Sequence, residues 1–141
     1  MLKAFALFLA LLAPVPACSS SSTGACGTIS GTYSDTETVS PGGCLPSAGT
    51  GTVTITGPGP DHNVTLPNVQ GSCPATSSGC SLSAQCNINL SDSAGNPVGL
   101  ATVLADWTFS MTGFTGQSSV VLKRPDGTSC TATLSDTATK Q

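Results

Sequence analysis

The sequence predicts an all-β domain: a small antiparallel meander of about seven strands, closed as a barrel or packed as a sandwich, and stapled by disulfides. Three observations carry that expectation. Two long segments alternate apolar and polar residues with a period of two, which puts one face inward and the other in water. The shorter segments are rich in Thr and Val, and no long stretch past the first residues has the 3.6-residue apolar period of an amphipathic helix. Turn-forming clusters separate the runs at short intervals, as in a meander.

Each element follows in order. Residues 28–34 place Ile29 and Tyr33 inward, 52–56 place Val53 and Ile55 inward, and 63–69 place Val64 and Leu66 inward. In 81–90, Leu82, Ala84, Cys86, Ile88 and Leu90 alternate with Ser81, Ser83, Gln85, Asn87 and Asn89. In 102–112, Val103, Ala105, Trp107, Phe109 and Met111 form one face, and Leu104 is the exception on the other. Residues 118–123 offer Val120 and Leu122, and 129–135 offer Ala132 and Leu134. Trp107, Phe109, Ile88, Leu90, Val103 and Leu122 are expected to share one core. Between strands, the run 57–61 of Gly and Pro cannot continue a strand. Arg124-Pro125-Asp126-Gly127 fits a type I turn, and Gly113 and Gly116 read as another short connection around Phe114.

Composition excludes several function classes. The 141 residues include 20 Ser and 20 Thr but only 4 Lys and Arg against 7 Asp and Glu, so no surface tracks nucleic-acid phosphates. A single histidine, His62, follows Asp61 in a Pro/Gly-rich turn and reads as a solvated loop residue rather than a catalytic base. The acids Asp35, Glu37, Asp61, Asp92, Asp106, Asp126 and Asp136 fall mostly in apparent turns or at strand ends, which is no specific sign of a carboxylate pair. Asp92 with Asn96 lacks the ligand spacing of a calcium loop, and Cys73, Cys80 and Cys86 lack a zinc knuckle. No catalytic, cofactor-binding or metal-binding residues are therefore assigned. Trp107 reads as a core anchor rather than a sugar-stacking platform. The Thr rows, Thr52, Thr54 and Thr56 on one strand and Thr108 with Thr112 on another, read as solvated faces. The glycosylation-like triplets at Asn63 and Asn89 read as coincidence.

The first residues speak to location. Lys3 precedes an apolar run over 4–13, and 14–17 lead abruptly to Cys18 and a Ser tract. About ten apolar residues are too few for a helix to span a bilayer, which needs about 20. Val15-Pro16-Ala17-Cys18 resembles the lipobox of bacterial lipoproteins. The resemblance implies removal of residues 1–17, acylation of Cys18 and a membrane anchor made of lipid alone, followed by a polar tether over 18–25 and a single β domain over 26–141. Ser19 is not the Asp of an inner-membrane retention signal, which favours the outer membrane. Cysteine parity points the same way. Seven cysteines leave one over in an exported chain, and acylation of Cys18 leaves Cys26, Cys44, Cys73, Cys80, Cys86 and Cys130 for three disulfides. A Cys86–Cys130 bridge and a short Cys73–Cys80 loop are the pairings alternation and proximity suggest.

The expected function is thus a non-enzymatic envelope lipoprotein with an interaction or structural role toward an unknown protein or glycan. The alternative is a secreted, disulfide-stabilised inhibitor or ligand-binding module, and behind both a small hydrolase.

Overall fold

A computed structural model of the chain describes residues 26–42, 44–45, 49–67, 69–91 and 94–141. The expected signal segment 1–17, Cys18, the tether through residue 25 and Asp92 lie outside the described residues.

Eight strands follow one another: β1 (Gly31–Val39), β2 (Gly49–Thr56), β3 (Asp61–Thr65), β4 (Cys73–Ser78), β5 (Ser81–Ser91), β6 (Pro97–Phe109), β7 (Gly113–Lys123) and β8 (Ser129–Lys140). Each pairs antiparallel with the next, and β1 pairs with β8 from Tyr33↔Lys140 to Val39↔Leu134, closing a barrel. The meander is present, with one strand more than expected, and closure decides between barrel and sandwich. The wall is apolar inside and hydroxyl- or amide-bearing outside, as in Ser83, Gln85 and Asn87 of β5 or Thr131, Thr133 and Thr137 of β8. That is the inverse of a lipid-facing barrel, whose outer band is apolar.

An eight-stranded barrel is just wide enough to be filled by side chains or to hold one small ligand. The end reached by the β2–β3, β4–β5 and β6–β7 turns is filled by aromatic rings. Phe114 stacks on Trp107 with centroids 4.4 Å apart, and Tyr33 meets Phe109 and Phe114 edge-on at 5.7 and 5.3 Å. The Tyr33 hydroxyl donates to the carbonyl of Ile29 at 2.6 Å, so the phenol is buried without an orphaned donor. Val53, Ile55, Val64 and Leu82 complete this packed layer.

Several expectations need correction. Met111 is 73% exposed, because β6 ends at Phe109 and the Ser110 N–H donates to the Gly113 carbonyl, turning the chain outward. Thr112 sits in that same turn and not in a row with Thr108. Gly113 and Gly116 are not a connection but part of β7. A Cβ on Gly116 would strike the Asp106 carbonyl and come within 2.8 Å of the Trp107 ring, so glycine is what lets the strand pass close to that indole. Ile88, Leu90 and Leu122 are only half-buried and do not join the packed core, whereas Trp107, Phe109 and Val103 are buried. The Arg124 turn is as expected, closed by the Gly127 N–H donating to the Arg124 carbonyl.

The disulfides are Cys26–Cys80, Cys44–Cys130 and Cys73–Cys86, so both suggested pairings are wrong. Cys73–Cys86 joins neighbouring strands: Ala75 faces Ala84 in the β4–β5 ladder, and the same register carried two residues further sets Cys73 opposite Cys86, with Cα atoms 5.0 Å apart. Cys26–Cys80 ties the segment before β1 to the β4–β5 turn at the aromatic end. Cys44–Cys130 ties the β1–β2 connection to the start of β8 at the opposite end.

Candidate functional site

Beyond the aromatic layer the barrel is not filled. Its other end holds a partly open cavity of about 370 Å³. That lies at the small end of the usual range for ligand sites, about 300–1,000 Å³. Its walls are the inward residues that alternation had assigned to a core: Ile88 and Leu90 of β5, Val103 of β6, Val120 and Leu122 of β7. Leu45, next to the disulfide-bonded Cys44, and Pro67 and Val69 of the β3–β4 connection line it where the barrel ends. The reason for the space is composition. At this end the inward positions carry Ala101, Ala132, Gly49, Gly51 and half-buried Val and Leu, where the other end carries aromatic rings.

The floor of the cavity is polar. Glu37, Trp107 and Ser118 line it. The Trp107 indole N–H donates to Asp136 Oδ2 at 2.8 Å, and the Ser118 hydroxyl donates to the same oxygen at 2.5 Å. Asp35 and Glu37, alternate residues on the inward face of β1, complete a trio with Asp136, which Glu37 faces directly across the β1–β8 ladder. One carboxylate oxygen from each lies within 4.8 Å of the others. Asp35 and Asp136 are 1% and 3% exposed, and Oδ1 of each has no hydrogen-bond partner. Burial raises all three carboxyls. Asp35 is pushed up to about 7, by burial first and then by the charges of Asp136 and Glu37, against a backbone N–H of Thr36 that lowers it. Glu37 is raised by burial and by Asp136, and Asp136 by burial, opposed by its bonds from Ser118 and Trp107. These acids were expected in turns and at strand ends; they are interior instead, because β1 and β8 each run about five residues past the predicted strands.

His62 is not a loop residue either. It is buried on β3, where the inward alternation His62, Val64 continues, and its Nε2 is 2.9 Å from Ser77 Oγ. Nδ1 is buried without a partner, and Asp61 beside it faces outward, so among the described residues no carboxylate orients the ring as a hydrolytic triad requires. The six cysteines named for disulfides are all paired, which leaves none of them to hold zinc. Trp107 is 2% exposed and not placed to stack on a surface sugar. Fold and cavity together define a small, disulfide-stapled, up-and-down barrel with an acidic-floored pocket inside it. No family model, curated protein or solved structure matches the chain.

Proposed function

We propose that this protein is an exported, non-enzymatic binding protein that holds one small, largely apolar molecule inside its barrel. The observation that carries the reading is the interior cavity, apolar on its walls and polar on its floor, in a barrel whose other end is packed with rings. A pocket built this way gains from excluding water along the walls and takes its orientation from a few convergent polar groups. The test uses the neutral fluorophore N-phenyl-1-naphthylamine titrated into purified protein. Saturable one-to-one binding is expected, and Val120→Phe, which places a ring in the cavity, should weaken it at least tenfold while circular dichroism stays unchanged. Linear, non-saturating fluorescence would sink the proposal.

The site of action we propose is the bacterial envelope, the outer membrane in particular, with the barrel tethered by acyl chains on Cys18. Cysteine pairing supports this reading: the three disulfides use six of the seven cysteines, and Cys18 is the seventh. The largely polar outer wall supports it too, since it lacks a continuous apolar band around the barrel, Val98, Leu100 and Leu104 of β6 being the exposed exceptions. After removal of residues 1–17 the basic residues are Lys123, Arg124 and Lys140 against seven acids, so anionic lipid repels the domain and the acyl chains carry the attachment. Secretion without lipid is the alternative location, and it leaves the binding function as stated.

A further inference from the structure

We infer that the molecule held in the cavity ends in a primary ammonium group, bound where Asp35, Glu37 and Asp136 converge. The inference rests on the binding function proposed above and specifies its ligand class: an apolar body of modest size with a cationic amine at one end.

Four observations support it. The trio is an acidic cluster with no basic partner among the described residues. No basic group is among the charges acting on any of the three, and Lys140, the basic residue nearest in register on β8, donates instead to the Thr28 carbonyl at 2.6 Å. Second, two buried oxygens, Asp35 Oδ1 and Asp136 Oδ1, lack any donor. A buried acceptor left unpaired costs about 1–3 kcal/mol, more if charged, so a donor arriving there is well placed to bind. Third, three oxygens within 4.8 Å of one another leave a point no more than about 2.8 Å from each, the distance of an N⁺–H···O⁻ hydrogen bond. An ammonium has three N–H donors and no acceptor, which matches one bond to each carboxylate. Fourth, Glu37 belongs to both the trio and the cavity lining, and Trp107 and Ser118, the two residues that grip Asp136, line the cavity as well, so the two buried aspartates lie directly behind its floor.

Other ligand chemistries fit less well. A carboxylate or phosphate would meet three acids. A neutral alcohol satisfies one orphaned oxygen and leaves the rest. A hard divalent cation takes six to eight oxygen ligands or an octahedral shell. Beyond the trio the inward lining supplies only the hydroxyl of Ser118 and the Trp107 N–H, both already donating to Asp136, among apolar side chains. Binding of an ammonium also has a pH signature. The groups facing the trio are its own three carboxyls, with the neutral Trp107 and Ser118 donors on β6 and β7. Ionising the trio strengthens the site, so affinity for an amine should rise as pH increases toward 7 and beyond.

The experiment is a head-group series displacing N-phenyl-1-naphthylamine from the purified protein at pH 7.5: n-octylamine, n-octanol and octanoate, with calcium and magnesium chloride as separate arms. Octylamine should bind at least tenfold tighter than octanol, with octanoate weakest. Glu37→Gln should bring octylamine to within about threefold of octanol. The wild-type order alone tests the inference if the variant folds poorly. Octanol binding as tightly as octylamine, failure of all three to displace a fluorophore that does bind, or an amine preference that survives Glu37→Gln overturns the ammonium assignment and leaves the cavity reading standing. Calcium or magnesium raising the melting temperature of wild type but not of Glu37→Gln, with no amine preference, overturns it in favour of a metal site. If the fluorophore itself does not bind, the cavity reading fails and the inference falls with it.

Discussion

Asp35→Asn should make this protein more stable at neutral pH and flatten its response to pH. Burial, with help from Asp136 and Glu37, raises the Asp35 carboxyl from its ordinary 3.8 to about 7 in the folded chain. Below pH 3.8 the group is protonated in folded and unfolded chains alike and costs nothing. Between the two values the unfolded chain releases its proton while the folded chain keeps it, so unfolding is increasingly favoured as pH rises. Above about 7 the penalty is complete and the curve levels off. A shift of about three units at about 1.4 kcal/mol each amounts to some 4 kcal/mol at most. Urea titrations of the wild type should therefore show stability falling between pH 4 and pH 7.5 by an amount of that order. Asparagine keeps the shape and an acceptor for the Thr36 N–H but carries no charge, and it relieves Glu37 and Asp136 of a neighbour. The variant should match wild type within about 1 kcal/mol at pH 4 and exceed it by about 2–4 kcal/mol at pH 7.5. A wild-type curve flat across that window, or a variant less stable at pH 7.5, would refute the argument that the trio is an uncompensated acidic cluster.

Three further outcomes are expected. Trp107→Ala removes the ring stacked on Phe114 and the donor to Asp136, and should cost about 3–5 kcal/mol in denaturant titration; a loss under about 1 kcal/mol contradicts its place in the core. Thiol labelling of the denatured, unreduced protein should find none of Cys26, Cys44, Cys73, Cys80, Cys86 and Cys130 free, and digestion without reduction should recover Cys44 linked to Cys130; stoichiometric labelling of even two breaks the scheme. Cys18→Ser should leave the far-ultraviolet spectrum unchanged but abolish palmitate labelling and partition into detergent, and a wild type released without lipid would move the protein to the secreted alternative.

The architecture was legible where side-chain size alternates. In β5 and β6, large apolar residues and short polar ones take turns; β5 was read nearly to its ends, whereas β6 begins five residues before the expected strand, at Pro97, and stops three short of it, at Phe109. β4 was not, because Cys73-Pro74-Ala75-Thr76-Ser77-Ser78 places only a cysteine, an alanine and a serine inward, and such small groups give no periodic signal. Glycine misled in the opposite direction. Gly113 and Gly116 look like turn residues, yet they serve close approach, to the Ala138 carbonyl and to the Trp107 ring, which only the packed barrel reveals. The trio was hidden by the assumption that acids end strands. The inward phase of β1 runs Tyr33, Asp35, Glu37, and that of β8 runs Leu134, Asp136, Ala138, so extending the alternation past Ser34 and Ser135 was the signal that would have found it. The cavity has no sequence signature at all. Whether Ile88, Leu90 and Leu122 fill a space or surround one depends on barrel diameter, which follows from closure. Disulfide pairing likewise depends on register and loop position rather than spacing.

The β1–β8 seam also decides how this chain behaves in company. A sheet with free edges offers unpaired N–H and C=O groups to any passing strand, and proteins commonly guard such edges with lysine and other charges. Only 8% of this chain is charged, and its strands are long, Thr-rich and Val-rich, the kind of segment that templates intermolecular pairing. Closing the meander gives every strand two neighbours and leaves nothing to recruit, so topology performs the guarding that charge performs elsewhere. Its vulnerability is correspondingly local. Were the seven residue pairs between Tyr33 and Val39 and their partners on β8 to part, two sticky edges would appear at once. Cys44–Cys130, which links the β1–β2 connection to the foot of β8, spans that seam and makes its opening self-limiting. In a dilute, oxidising compartment a protein so made can persist at high local density without fibrils, and reduction of that one bridge is where its aggregation would begin.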